Sequence, residues 1–267
     1  MRRALKSMPL LGLHLYVIAF FAFMLLPIVV VVLVGFSSTD YIVFPIEGFS
    51  LKWFWRVYEY KPFLQSFVVT FEVAIVSTVL AIILGVPAAI GLARSDHPAA
   101  SVVMTMLLSP LSMPAIILGF ALLFYLSMLG FGVSLLSLII AHTVVAIPYI
   151  VRTVAAVYRS LAPSLEEVAL ILGASRWQTF RHVTLPLITP GISAGALFAM
   201  LLSIDNLPLS YFFGSPGTST LPVVMLSYLE NQFDPAIAAV STLQLAVAVI
   251  ILVVIERIYG LRGLSAA

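Results

Sequence analysis

Six apolar runs succeed one another along the chain, at approximately Leu11–Phe36, Leu64–Ala93, Val102–Leu126, Phe131–Val151, Ile188–Phe212 and Ala236–Ile255. A hydrocarbon core about 30 Å thick takes roughly 20 helical residues rising 1.5 Å each, so every run is long enough to cross it. The pattern predicts an all-α polytopic membrane protein with six transmembrane helices. Ser164 to Pro186, SLEEVALILGASRWQTFRHVTLP, breaks the pattern with polar and charged positions. Within it, Ser164 precedes Glu167 by three residues and Ser175 precedes Gln178 by three, the spacing of two successive capping boxes. Gly173 lies between them and suits the left-handed backbone that ends many helices. The expectation is a short helix over Leu165–Leu172, a tight turn, and a second helix stopping before Pro186.

Composition sharpens this reading. Hydrophobic residues make up 62% of the 267 positions and charged residues 9%, against a globular norm of about 25% charged. The net charge of +2 is too small to suggest nucleic-acid binding, and its distribution is more telling than its sum. Arg2, Arg3, Lys6, Arg94, Arg152, Arg159, Arg176, Arg181, Arg257 and Arg262 fall on one side of the expected spans. Lys52, Arg56 and Lys61 fall on the other. By the positive-inside rule both termini and the Ser164–Pro186 loop face the cytoplasm, and the Asp40–Pro62 loop faces outward. The first run is too long for a cleavable signal sequence and is expected to remain as a helix.

Loop residues set the other boundaries. Asp234-Pro235 reads as a helix start, Gly214 to Thr218 as an outer turn, and Leu221–Glu230 as a short helix near the outer surface. Prolines at 27, 87, 110, 114, 148 and 190 are expected to kink the spans. Trp53, Phe54, Trp55, Tyr58 and Tyr60, beside Lys52, Arg56 and Lys61, read as an interfacial belt.

Several chemistries are absent. No cysteine occurs, so no disulfide or thiolate site is available. Lysines stand only at 6, 52 and 61, none in a phosphate-binding loop, and the four histidines form no H-x-x-x-H pair. No catalytic constellation and no metal site is expected.

Glu167-Val168-Ala169, Gly173, Val183 and Leu185-Pro186 resemble the EAA loop of ABC-transporter permeases, E-A-A-x3-G-x9-I-x-L-P, with valine in place of the second alanine and of the isoleucine. The resemblance implies a coupling loop over 164–186 that docks on a separate ATPase, with Glu166, Glu167, Ala169, Gly173, Ala174 and Arg176 as its contact residues. It implies the six-span MetI-like fold of type I importers over 64–259, preceded by a tail, first helix and outer loop over 1–63 and followed by a tail over 260–267. Implied partners are two ABC ATPase subunits using ATP-Mg, a second homologous permease, a periplasmic or extracellular substrate-binding protein and the lipid bilayer. No cofactor is expected on this chain. Leu202 to Asn206 is similar to a serine-x-Asp-Asp motif of spermidine/putrescine-type second permeases, with Asn206 replacing the second aspartate. A polyamine is therefore the expected substrate. Opine, phosphonate, iron, sulfur-anion and amino-acid-like solutes are the alternatives, and an energy-independent secondary transporter is a further one.

Glu72 and Asp205 are ionisable residues inside expected spans, each costing about 2.5–3.5 kcal/mol unless it meets water or a partner. Together with Asn206 and Tyr211 they form a candidate substrate path, the carboxylates suiting a cation and the ring offering a cation-π face. The alternative is that Asp205 reaches the interface and Glu72 bonds a neighbouring helix.

Overall fold

A computed structural model describes residues 10–215 and 217–259. Arg2, Arg3, Lys6, Arg262, Pro216 of the outer turn and the 260–267 tail lie outside the described residues. The helices are α1 (Leu10–Gly35), α2 (Lys52–Glu59), α3 (Lys61–Ala93), α4 (Pro98–Leu108), α5 (Ala115–Met128), α6 (Leu135–Ser160), α7 (Ser164–Ile171), α8 (Arg176–Thr179), α9 (Leu185–Ile204), α10 (Leu207–Ser210), α11 (Leu221–Asn231) and α12 (Ala236–Tyr259). Among the described residues the only β-pairing is an isolated bridge between Ser37 and Phe49. Five helices are long and apolar enough to span a membrane, and α4 with α5 makes a sixth if that bent pair is one span.

Where the spans differ from expectation, proline, glycine and capping residues explain it. The third run is bent by 112° between α4 and α5. Pro110 withholds an N–H there, and Pro114 holds Met113 in an extended conformation. The fourth span is shifted toward the C-terminus. Gly130 and Gly132 take left-handed turns before it, and the Ser134 hydroxyl accepts from the Ser137 N–H to start α6. The second helix of the polar loop does not stop before Pro186. It runs through a π-helical turn, Phe180–Thr184, into α9 as one 29-residue rod, Arg176–Ile204. The wider turn shifts the hydrogen bonding, with Leu185 N–H reaching Phe180 C=O, so the proline is accepted just beyond it.

Contacts divide the chain into two compact units. One comprises the described residues from Leu10 to Leu64 with Ser227–Val247. In it, a Cβ at Gly35 would lie 3.2 Å from backbone atoms of Ala238 and Ala239, so α1 and α12 approach as closely as glycine permits. The rings of Tyr60, Phe63 and Tyr228 cluster with centroids 4.9–5.3 Å apart. Tyr228 donates to Asp234 at 2.8 Å, and Asp234 accepts the Ala236 N–H that opens α12. Burial, reinforced by Asp234, pushes the Tyr228 hydroxyl up to about 12, so it remains a donor at neutral pH. Trp53 is not part of an interfacial belt: it is buried and donates to Thr39 C=O, while Trp55 and Tyr58 stay exposed.

Among the described residues, the second unit holds Gln65–Leu226 and the chain from Ala248 to Tyr259. Its core is Ala81, Ala89, Ala146, Ile150, Val154, Ile188 and Ala199, with Val86, Val151, Ala155 and Tyr158 around them. The seam between α6 and α9 is made by small residues at four-residue intervals, Gly191, Gly195 and Ala199. A Cβ at Gly195 would collide with the Thr153 hydroxyl and lie 3.0 Å from Ile150 Cα, while one at Gly191 would sit 3.1 Å from Thr153 C=O. Hydrophobic attraction between helices is weak inside lipid, so this close backbone approach supplies the packing.

Candidate functional site

The polar loop is built from backbone capping. α7 ends at Gly173, whose φ of +88° is the left-handed conformation expected from sequence. Ala174 N–H reaches Ala169 C=O at 3.0 Å and Gly173 N–H reaches Leu170 C=O at 3.0 Å. That pair of bonds is a Schellman closure, and it gives a physical reason for an alanine followed four residues later by glycine. Ser175 and Gln178 form the second expected capping box, the serine hydroxyl accepting from Gln178 N–H and the glutamine oxygen accepting from Ser175 N–H at 2.7 Å.

The first expected box is absent. Ser164 is already inside α7, because Pro163 takes a helical conformation and its carbonyl accepts the Glu166 and Glu167 N–H groups. A serine with helical backbone angles cannot turn its hydroxyl onto the N–H groups ahead of it.

The expected contact residues of this loop separate into two sets. Glu167, Gly173 and Arg176 are exposed, and Ala169 and Ala174 are half-buried beneath them. Around them stand bare apolar side chains: Ile171 is 83% exposed, Leu172 81% and Trp177 65%. No Cβ at Gly173 would meet another atom within 4 Å, so the glycine is required by its backbone angle and by nothing packed on it. Glu166 faces the other way. It accepts from Arg94 at 3.2 Å, from Tyr158 at 3.1 Å and from the Thr184 hydroxyl.

At the opposite end of the rod, α9 stops at Ile204 and the chain turns through Asp205 and Asn206 into α10. Asp205 therefore lies just past the helix rather than within it, and it is exposed. Asn206, 8% exposed, accepts the Leu209 N–H on its Oδ1 and so caps α10. Asn206 also lines a cavity of about 190 Å³ with Pro110, Met113, Leu118, Tyr149 and Leu209. The breaks in the third and fifth runs thus meet at one space. Tyr211 is exposed, its ring edge-on to Phe212. Glu72 lies on the exposed stripe of α3 with Val68, Ile75 and Val79, and bonds to no other described residue. It and Asp205 share the half of the unit away from Arg94 but do not bond to each other.

Sequence reasoning did not find the polar link between these elements. His142, 2% exposed, bonds Ser203 at 2.7 Å through Nδ1 and Ser210 at 3.0 Å through Nε2, and Ser203 lies 3.5 Å from Ser77. A neutral imidazole donates from one nitrogen and accepts at the other, so both are satisfied. The imidazole pins α9 and α10 to α6 across the break.

Comparison with known proteins decides the family. Residues 81–261 match the model of the binding-protein-dependent transport system inner membrane component. The chain belongs to that family. Among its relatives, the putrescine transport system permease protein PotI of Escherichia coli K12 is 30% identical over 84% of this chain and 82% of its own length. The spermidine/putrescine transport system permease protein PotC of the same strain is 26% identical over 91% of this chain and 92% of its own. In fold, the chain matches a bacterial ABC transporter that imports the polysaccharide alginate, with a TM-score of 0.72 at 18% identity, covering 93% of this chain and 95% of that one. The protein is thus a permease subunit of an ABC importer, a multi-pass and non-catalytic component of the inner membrane with the MetI-like fold.

Proposed function

We propose that this permease imports a polyamine such as putrescine or spermidine, working with two ATPase subunits that use ATP and Mg²⁺, a second homologous permease and an external substrate-binding protein. The Ser164–Pro186 loop docks on an ATPase subunit, and both termini face the cytoplasm. The observation that carries the docking reading is the bare apolar surface of Ile171, Leu172 and Trp177 around the Schellman turn. A covered tryptophan is a common anchor of protein interfaces, and burying the isoleucine and leucine beside it adds the ordinary hydrophobic gain. The gathering of Arg94 and Arg159 at the same end supports the orientation.

The polyamine reading is supported by the likeness to the putrescine permease PotI and the spermidine/putrescine permease PotC, and by Glu72 and Asp205, whose carboxylates bond to no other described residue. A carboxylate on an apolar membrane-facing stripe is tolerated where another protein or a water-filled path covers it, so Glu72 marks the path or the second permease. Asp205 and Tyr211 offer an ammonium group a charge and a ring face. In vesicles holding the whole transporter, putrescine-loaded binding protein is expected to raise ATP hydrolysis several-fold and drive putrescine uptake. Absence of both responses with putrescine and spermidine would remove the polyamine assignment.

Asn206 favours a second reading. With Oδ1 committed to the Leu209 N–H, its remaining polar group is an NH₂ donor bordering the cavity. A donor suits an oxyanion or another acceptor-rich solute and is a poor partner for an ammonium group.

A further inference from the structure

The geometry points to Glu166 and Arg94 as the internal strut that carries motion of the docked loop to the transmembrane helices, a role distinct from contact with the ATPase. This rests on the reading that α7 docks there. Four elements converge on one half-buried carboxylate. Arg94, the first residue past α3, donates to Glu166 Oε2 at 3.2 Å, to Tyr158 C=O at 2.8 Å and to Leu161 C=O. Its guanidinium lies 4.1 Å from the Tyr158 ring centroid. Tyr158, in the last turns of α6, donates its hydroxyl to Glu166 at 3.1 Å, and Thr184, closing the π turn, donates to the other carboxylate oxygen. Arg159 adds a bond from its Nε to Ala93 C=O at 3.0 Å, tying the end of α3 to α6.

The chemistry is specific to these groups. Tyr158 C=O already accepts the Leu161 N–H at 3.3 Å where α6 ends, and the planar guanidinium bonds both that carbonyl and the Leu161 C=O just past the helix while holding the carboxylate. Glu166 in turn has three donors on two oxygens, so a shift of α7 moves α3, α6 and the π turn together. Glu167, one residue on, is exposed and has no part in the cluster. Glu166 is a positioning residue: it acts through its own chain.

The test uses the complete transporter in vesicles with partner ATPases and loaded binding protein. Glu166→Gln and Arg94→Gln are each expected to retain co-purifying ATPase while the ATP hydrolysed per solute imported rises about tenfold. The double variant is expected to do no more than either single one, as for groups acting as one unit. An unchanged ratio in Glu166→Gln, or losses that multiply in the double variant, would overturn the assignment. If those variants fail to accumulate, Thr184→Val removes one donor at nearly constant shape. A several-fold rise in the ratio supports the strut and an unchanged ratio overturns it. Loss of ATPase from the wild-type complex, by contrast, would count against docking itself.

Discussion

The two ends of the Arg176–Ile204 rod are built on opposite plans. The loop end is shaped by backbone closure, Gly173 at φ +88° and the Ser175–Gln178 box, and it leaves its apolar side chains bare. The far end is shaped by side chains from separate helices, with His142, Ser203 and Ser210 bonded in the interior and Asn206 capping a short helix beside a cavity. The first plan suits a surface that must be complementary to another protein. The second suits a place where helices must break inside a membrane without leaving polar groups unpaired.

The largest effect that would sharpen this contrast is at the bare surface. Ile171→Asp with Leu172→Asp is expected to abolish uptake and release the ATPase on purification, each anchor being worth about 2 kcal/mol or more when covered. Retained ATPase with normal uptake would mean that the exposed patch serves no docking. Next, His142→Phe strips partners from two buried hydroxyls and is expected to cost about 2–4 kcal/mol. It would lower the thermal midpoint in detergent while ATPase still co-purifies, and an unchanged midpoint would show that the polar link holds nothing together.

Gly173→Val follows. Its cost is a left-handed valine, about 1–2 kcal/mol, with no clash inside the chain. The expected result is about a tenfold loss of uptake at nearly normal thermal stability, because the added side chain projects toward the docking partner. Equal uptake would separate the turn from coupling. The smallest effect is expected from Asn206→Asp, which keeps the cap but turns a cavity donor into an acceptor. A few-fold gain in putrescine uptake supports the polyamine path, and a loss supports the acceptor-rich solute.

What the residues revealed in advance follows the same division. The six runs, the closing glycine and one capping box were legible because each depends on spacing along a single segment. The π turn at Phe180–Thr184 was not, since a proline after a helix ordinarily reads as its end and only the wider turn makes room for it. Ser164 misled for a related reason: Pro163 had already begun the helix. The Gly191, Gly195, Ala199 seam carried a visible four-residue signal that went unread. The His142 bonds to Ser203 and Ser210 and the Arg94–Glu166 pair carried none, because their partners are 61–72 residues apart and meet only after the helices pack.

The rod itself has a mechanical consequence. Its 29 residues make it about 43 Å long, more than the thickness of the hydrocarbon it crosses. Pivoting it by about 5° at one end sweeps the other through roughly 4 Å, more than a hydrogen-bond length. A tilt of that size against a fixed α6 would part Ser203 from His142 and open the Gly191–Ala199 seam, so the rod and α6 must swing together as one long lever latched at its far end.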